Sequence, residues 1–241
     1  MKRLLMFVMI ACVGFLSCTK EELTKPLPAN DFKLKAANPA PSVDPAIVFD
    51  VDGNMYHTVI IGTQTWMVEN LKTTRFNDGT EIPELNFDQH LYPCVYAPNF
   101  SWYGDDKANS ELYGGLYNGY CVESGMLAPV GWHVPSAEEY DVLITYLNGS
   151  EKAGGMMKET GTQHWNAPNV GANNLSGFTG LPGGYRDCWY FYTGMGDCGF
   201  WQTSTFESGN VHFIGLIFDT PTMRTGSTYK SSAFSVRCIK N

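Results

Sequence analysis

Four consecutive aromatic residues, Trp189-Tyr190-Phe191-Tyr192, stand between Cys188 and Cys198. Aromatic faces stack on sugar rings, and nearby polar side chains supply the oriented hydrogen bonds that fix a polar ligand. Four adjacent rings on a looped segment cannot all point inward. Trp189, Tyr190 and Tyr192, with Trp201 and Arg186 beside them, are therefore the expected ligand-binding residues. The other tryptophans and tyrosines are expected to fill the core, as they do in loop-rich domains. Cys188 and Cys198 are near enough in sequence to close a small disulfide loop around the aromatic run. Such a loop would contribute up to about 3 kcal/mol through the unfolded chain. Cys94 and Cys121 are a second possible pair.

Other chemistries find less support. Asp50-x-Asp52-Gly53-Asn54 has the look of a calcium loop, but its twelfth position is Ile61 where an EF-hand needs glutamate, so a turn is expected. The tripeptides of lectin-type calcium sites do not occur. The five histidines, His57, His90, His133, His164 and His212, lack metal-ligand spacing to each other or to a cysteine. His133, just ahead of a helix start, reads as structural. No nucleophile elbow, phosphate loop or zinc-protease helix is present. The sequence reads as non-catalytic, with no metal and no cofactor.

Positioning such a surface falls to a turn-rich chain. Aromatics make up 14% of the residues and charged residues only 17%, with 25 glycines, a mixture that suits many short strands better than a helical bundle. Asp52-Gly53-Asn54, Gly62-Thr63 and Asn77-Asp78-Gly79 mark turns, with strands expected at 55–61 and 64–71. One helix is clearly signalled. Ser136 and Glu139 form a Ser-x-x-Glu capping box; Tyr140, Leu143, Ile144 and Leu147 share a face, and Asn148-Gly149 stops it. A second helix near 152–159 is weakened by Gly154-Gly155, and further strands are expected near 199–203, 212–219 and 232–239. The reading is a single α+β domain over residues 46–241, loop-rich, with short and mostly antiparallel strands and one or two helices.

The N-terminus supplies an address. Lys2 and Arg3 precede an apolar run from Leu4 to Leu16, followed by Ser17-Cys18. This is a secretory layout, too short to span a bilayer comfortably. Phe15-Leu16-Ser17-Cys18 resembles a lipobox, which implies removal of residues 1–17 and lipidation of Cys18. Several acyl chains on one residue anchor stably. Thr19-Lys20-Glu21-Glu22 resembles the signal that surface-exposed lipoproteins of the Bacteroidetes carry behind the lipidated cysteine, implying outward display on the outer membrane. Residues 18–45 hold Pro26, Pro28, Pro39, Pro41 and Pro45 and read as a tether, spanning roughly 30 Å as a flexible coil. The mature net charge is 14 − 24 = −10, with no basic run, which argues against nucleic acid as a partner. Beyond Cys18 lie five cysteines, and an oxidising compartment favours disulfides with one thiol left over.

Several blocks together resemble the Fibrobacter succinogenes major paralogous domain family. They are Asp52-Gly53-Asn54 through Ile61-Gly62-Thr63-Gln64-Thr65-Trp66-Met67-Val68-Glu69-Asn70-Leu71; Tyr113-Gly114-Gly115-Leu116-Tyr117-Asn118; Pro129-Val130-Gly131-Trp132-His133-Val134-Pro135-Ser136; and Gly177-Phe178 through Leu181-Pro182-Gly183-Gly184-Tyr185-Arg186. Phe234-Ser235-Val236-Arg237-Cys238 matches at the end. The resemblance covers the whole domain and implies surface location rather than a particular activity. The Gly131-to-Tyr140 block also resembles the strand-to-helix junction of C-type-lectin-like and formylglycine-generating-enzyme-like folds, so a C-type-lectin-like fold is expected by analogy. The family usually has cysteine where this chain has Ala128, which implies that Cys238 has lost its partner and leaves Cys121 as a substitute.

Three functions follow in order. The first is a surface-displayed lipoprotein acting as a binding or adhesion module, for an extracellular glycan or protein. The second is a structural cell-envelope component engaging a neighbouring protein. The third, carried by fold analogy alone, is a formylglycine-generating-type oxidase.

Overall fold

A computed structural model of the protein describes residues 42–86 and 94–241. The expected signal, the lipidation site Cys18 and the tether as far as residue 41 lie outside the described residues, as does His90.

The strands are β1 (Ser42–Phe49), β2 (Met55–Ile61), β3 (Gln64–Met67), β4 (Phe100–Ser101), β5 (Leu116–Asn118), β6 (Trp132–His133), β7 (Gly183–Arg186), β8 (Tyr192–Met195), β9 (Cys198–Glu207), β10 (Asn210–Ile217), β11 (Arg224–Tyr229), β12 (Ala233–Phe234) and β13 (Ile239–Lys240). The helices are α1 (Ser110–Tyr113), α2 (Gly119–Glu123), α3 (Ala137–Tyr146) and α4 (Ser150–Met157). The domain is α+β, as expected. One sheet runs β1-β2-β3-β13-β6; the other runs β11-β10-β9-β7-β12-β5-β4, with β8 paired to β7. The named strands pair antiparallel except β7 with β9. β13 brings the C-terminus back between the first hairpin and β6, with Ile239 opposite both Trp66 and His133.

Local signals explain the first hairpin and α3. Asp50 accepts hydrogen bonds from the backbone of Asp52 and Asn54 at 3.0 and 2.9 Å and from the Tyr56 hydroxyl at 2.6 Å. This side chain closes the turn, which is why acidic residues crowd there. At α3 both halves of the capping box are made: Ser136 Oγ accepts from Glu139 N, and a Glu139 carboxylate oxygen accepts from Ser136 N at 2.8 Å. His133 Nε2 lies 2.8 Å from the other carboxylate oxygen, so the histidine of the block is structural. Asn148 and Gly149 both take positive φ, 67° and 88°, and stop the helix.

Two expectations shift, and one strand is new. β1 begins at Ser42, inside the stretch read as tether, because main-chain pairing to β2 needs no apolar pattern and Pro45 falls where the register slips between Asp44 and Ile47. The second helix is intact despite Gly154-Gly155. A Cβ at Gly154 would come within 2.6 Å of Pro221 O, and one at Gly155 within 2.4 Å of Gly171 O, so the glycines permit close packing. The edge strand β11 was not visible in the sequence, since Arg-Thr-Gly-Ser-Thr-Tyr offers no apolar face.

The largest core cluster packs α3 and α4 against Trp66, Phe178, Trp201 and Leu216. A second gathers Tyr56, Phe100, Tyr117, Cys121, Ala128 and Cys238, and a third stacks Tyr185, Phe213 and Phe234. Among the described residues three cations, Arg186, Arg237 and Lys158, sit wholly inside. Arg237 donates to Asn70 Oδ1 through Nη2 at 2.6 Å and to the Phe178 carbonyl, beneath the Phe178 ring at 4.2 Å. Burial pulls its pKa down to about 10. Lys158 donates to the carbonyls of Val170, Ile217 and Thr220 at 2.9, 2.9 and 3.0 Å, which uses all three ammonium hydrogens.

Candidate functional site

The aromatic run forms the tip of the β7–β8 hairpin, where Arg186 pairs with Tyr192. The turn is built on Asp187. Its Oδ1 accepts from Trp189 N at 2.8 Å and Phe191 N at 2.9 Å, while its own N donates to Phe191 O at 3.0 Å. Tyr190 N donates to Asp187 O at 3.2 Å. Tyr190 takes φ 73°, a left-handed conformation that costs a tyrosine and is held by the surrounding contacts. That twist sorts the rings. Trp189 and Phe191 are 54% and 65% exposed, whereas Tyr190 turns under and is only 8% exposed.

Beneath the tip is a polar floor. The Arg186 guanidinium lies 5.1 Å from the Tyr190 ring centroid and donates to Asn99 Oδ1 at 2.7 Å. It is buried, which lowers its pKa. The Tyr192 hydroxyl donates to Asp105, and its ring packs 5.3 Å from that of Tyr103. Burial pushes the Tyr192 phenol up to about 12, with the Asp105 contact acting in the same direction. Held by these contacts, the two side chains form the base of the tip.

The five residues singled out from sequence are thus separated by the fold. Trp189 is exposed and free to stack. Tyr190 and Arg186 are buried, and Tyr192 is half-buried. Trp201 is withdrawn from the candidate surface: it is fully buried, with Nε1 donating to Asn70 Oδ1 at 2.7 Å. Its place on β9 faces the helices, and only the sheet order shows this. Phe191, not singled out from the sequence, is the second exposed ring; alternation about the Asp187 turn is the signal that identifies it. Tyr96, 77% exposed, stands two residues from Cys94, whose N donates to Cys188 O at 2.8 Å at the base of the turn.

No disulfide joins the described cysteines. Cys188 and Cys198 lie toward opposite ends of the hairpin, whose register runs from Arg186 opposite Tyr192 to Gly183 opposite Met195. That length is roughly 10 Å, beyond the Cα separation a disulfide spans. The pairing expected from sequence proximity is therefore not made. Nor is Cys94 with Cys121: the Cys121 thiol is buried in the second cluster and donates to Asn99 O at 3.2 Å. Cys238 and Ala128 share that cluster, in keeping with the lost partner.

A polar cleft of about 250 Å³ is lined by Asp52, Lys72, Trp102, Lys107 and Glu111 among others. Its polar groups are largely engaged with each other. Lys72 pairs with Glu111 at 2.7 Å, and Asp52 accepts from Thr73 and Thr74. Trp102 is 3% exposed and offers no ring face. Among the described residues no group of His, Cys, Asp and Glu could hold a metal ion, and no helix is long and apolar enough to cross a membrane.

The sequence profile of the Fibrobacter succinogenes major domain matches residues 59–240, and the chain belongs to that family. No curated protein and no solved structure matches it. The motif blocks that carry the resemblance lie mostly inward: Trp66, Asn70, Tyr117, Phe178 and Arg237 are all buried. They define the scaffold, and the exposed rings at the tip lie between them.

Proposed function

We propose that the chain is a lipid-anchored protein displayed on the outer membrane, acting as a non-catalytic binding or adhesion module whose contact surface is the tip of the β7–β8 hairpin. The observation that carries this reading is the exposure of Trp189 and Phe191 on a turn held by four hydrogen bonds to Asp187. A pre-ordered turn binds without paying to order itself, and exposed rings match the apolar faces of sugars. A glycan is accordingly the favoured ligand class. The short antiparallel strands and the capped helix after Trp132-His133 support a C-type-lectin-like description of the fold.

The second reading, a structural envelope component, rests on a different surface. β1 is the edge of its sheet, and Ile47, Phe49 and Met55 are 51%, 60% and 45% exposed there, with Phe49 directly opposite Met55. An apolar edge of this kind suits a protein neighbour. The oxidase reading has only the fold analogy behind it. Burial and the neighbouring Cys94 push the Cys188 thiol up to about 12, the opposite of an activated nucleophile.

A glycan array with the soluble domain from residue 42 onward tests the first reading. Binding that Trp189→Ala abolishes supports it. A blank array, with chemical cross-links at Phe49 or Met55 to another envelope protein, favours the second.

A further inference from the structure

We propose that Cys94 and Cys188 are a disulfide-forming pair, a modification site that ties the base of the aromatic turn to the chain at residue 94. Cys94 N donates to Cys188 O at 2.8 Å. That bond brings the two main chains together at these residues, and a disulfide needs such an approach, with Cα atoms within about 7 Å. Burial pushes the Cys188 thiol up, and the Cys94 thiol beside it acts in the same direction. Cys198 directs its sulfur to Gly194 O at 3.4 Å, and Cys121 directs its own to Asn99 O.

The accessibilities set an order of reaction. Cys94 is half-buried and Cys188 is 6% exposed. A small or protein disulfide, RSSR, meets Cys94 first. The Cys94 thiolate attacks one sulfur of RSSR, forming Cys94–S–S–R and expelling RS⁻, which takes up the proton lost from Cys94. The Cys188 thiolate then attacks the Cys94 sulfur and expels the second RS⁻, which takes up the proton lost from Cys188. The chain loses two electrons and two protons, and RSSR becomes two RSH. The high Cys188 pKa slows the second step and leaves the product unaffected.

The link would fix residue 188, next to Trp189, to a second strand of chain. This inference does not depend on the ligand reading: a turn with no ligand can still carry the bridge, and a glycan-binding turn can lack it. The test uses the full chain purified without reductant and equilibrated with oxidised glutathione. It is then quenched with acid and alkylated in denaturant, so that burial cannot mask a thiol, and digested. The expected result is a cross-linked peptide pair containing Cys94 and Cys188, with alkylation at both falling about tenfold and restored by dithiothreitol. In Cys94→Ser, Cys188 should be recovered alkylated rather than joined to Cys198 or Cys121. Full alkylation of both residues after oxidation, or a Cys188–Cys198 peptide in the unaltered protein, overturns the proposal.

Discussion

Asn70 and Arg237 are 167 positions apart and meet at one oxygen: Asn70 Oδ1 accepts from Arg237 Nη2 at 2.6 Å and from Nε at 3.2 Å. The same oxygen accepts from Trp201 Nε1, while Asn70 Nδ2 donates to Tyr113 O at 2.8 Å. Phe178 closes the other side of the guanidinium. One amide thus joins four distant segments around a cation that makes no ion pair with any carboxylate among the described residues. Removing it should be costly, because a buried charge loses its main acceptor. Asn70→Ala is expected to destabilise the domain by about 3–5 kcal/mol. Asn70→Asp should cost less, since it keeps the acceptor and adds a countercharge. Urea melts of the two variants check the order; equal losses would mean that the space filled by the side chain matters more than the oxygen.

The cap of α3 should behave as one unit. Ser136→Ala removes an acceptor from the first turn and is expected to cost about 1 kcal/mol. Glu139→Ala removes the other half of the box and also one of the two partners of His133, which keeps Asn241. The double variant should lose less than the sum of the single losses, because both side chains serve one helix start. Additive losses in denaturant titrations would mean that the two contacts stabilise the domain independently.

Lys158 gives a pH signature. Burial holds its pKa down to about 8, below the ordinary lysine value of 10.5. Between those values the unfolded chain binds more protons than the folded one, so this group makes stability rise with pH across the window. Lys158→Met lacks that contribution and leaves the carbonyls of Val170, Ile217 and Thr220 without their donor. It should cost about 3 kcal/mol at pH 7, and the gap to the unaltered protein should widen from pH 8 to pH 10. A gap that narrows would show that the three carbonyls hold the proton more tightly than water does.

Anchoring rests on one residue. Cys18→Ala should abolish acylation, because no other cysteine follows the apolar run closely. Palmitate labelling and membrane fractionation read the result directly. Label that persists in the variant would sink the lipoprotein reading.

Legibility in the sequence followed the range of the interactions. The α3 cap, the Asp50 turn and the β2 bounds were visible because each is made by residues within six positions of one another. Arg186 and Trp201 looked like surface groups beside an aromatic loop. Only the pairing of β7 with β9 and the reach of Asn70 and Asn99 put them inside. Cysteine pairing misled for the same reason. Cys188 and Cys198 are ten positions apart, yet a straight hairpin places them at opposite ends, while Cys94 arrives from a distant segment.

Trp189 and Tyr190 are neighbours with opposite expected fates. Trp189→Ala removes an exposed ring and should leave stability within about 0.5 kcal/mol of the unaltered protein, while weakening binding of any glycan identified on the array. Tyr190→Ala takes away a buried ring that rests on Arg186, and should cost about 3 kcal/mol. Its effect on binding should come through a loosened turn, so lowering the temperature should restore part of it. Phe191→Ala should follow Trp189→Ala, stable but weaker in binding. Thermal melts run beside binding on the same three proteins separate the roles. If Trp189→Ala and Phe191→Ala bind every glycan as the unaltered protein does, the tip is not the contact surface, and the apolar edge at Phe49 and Met55 becomes the face to test.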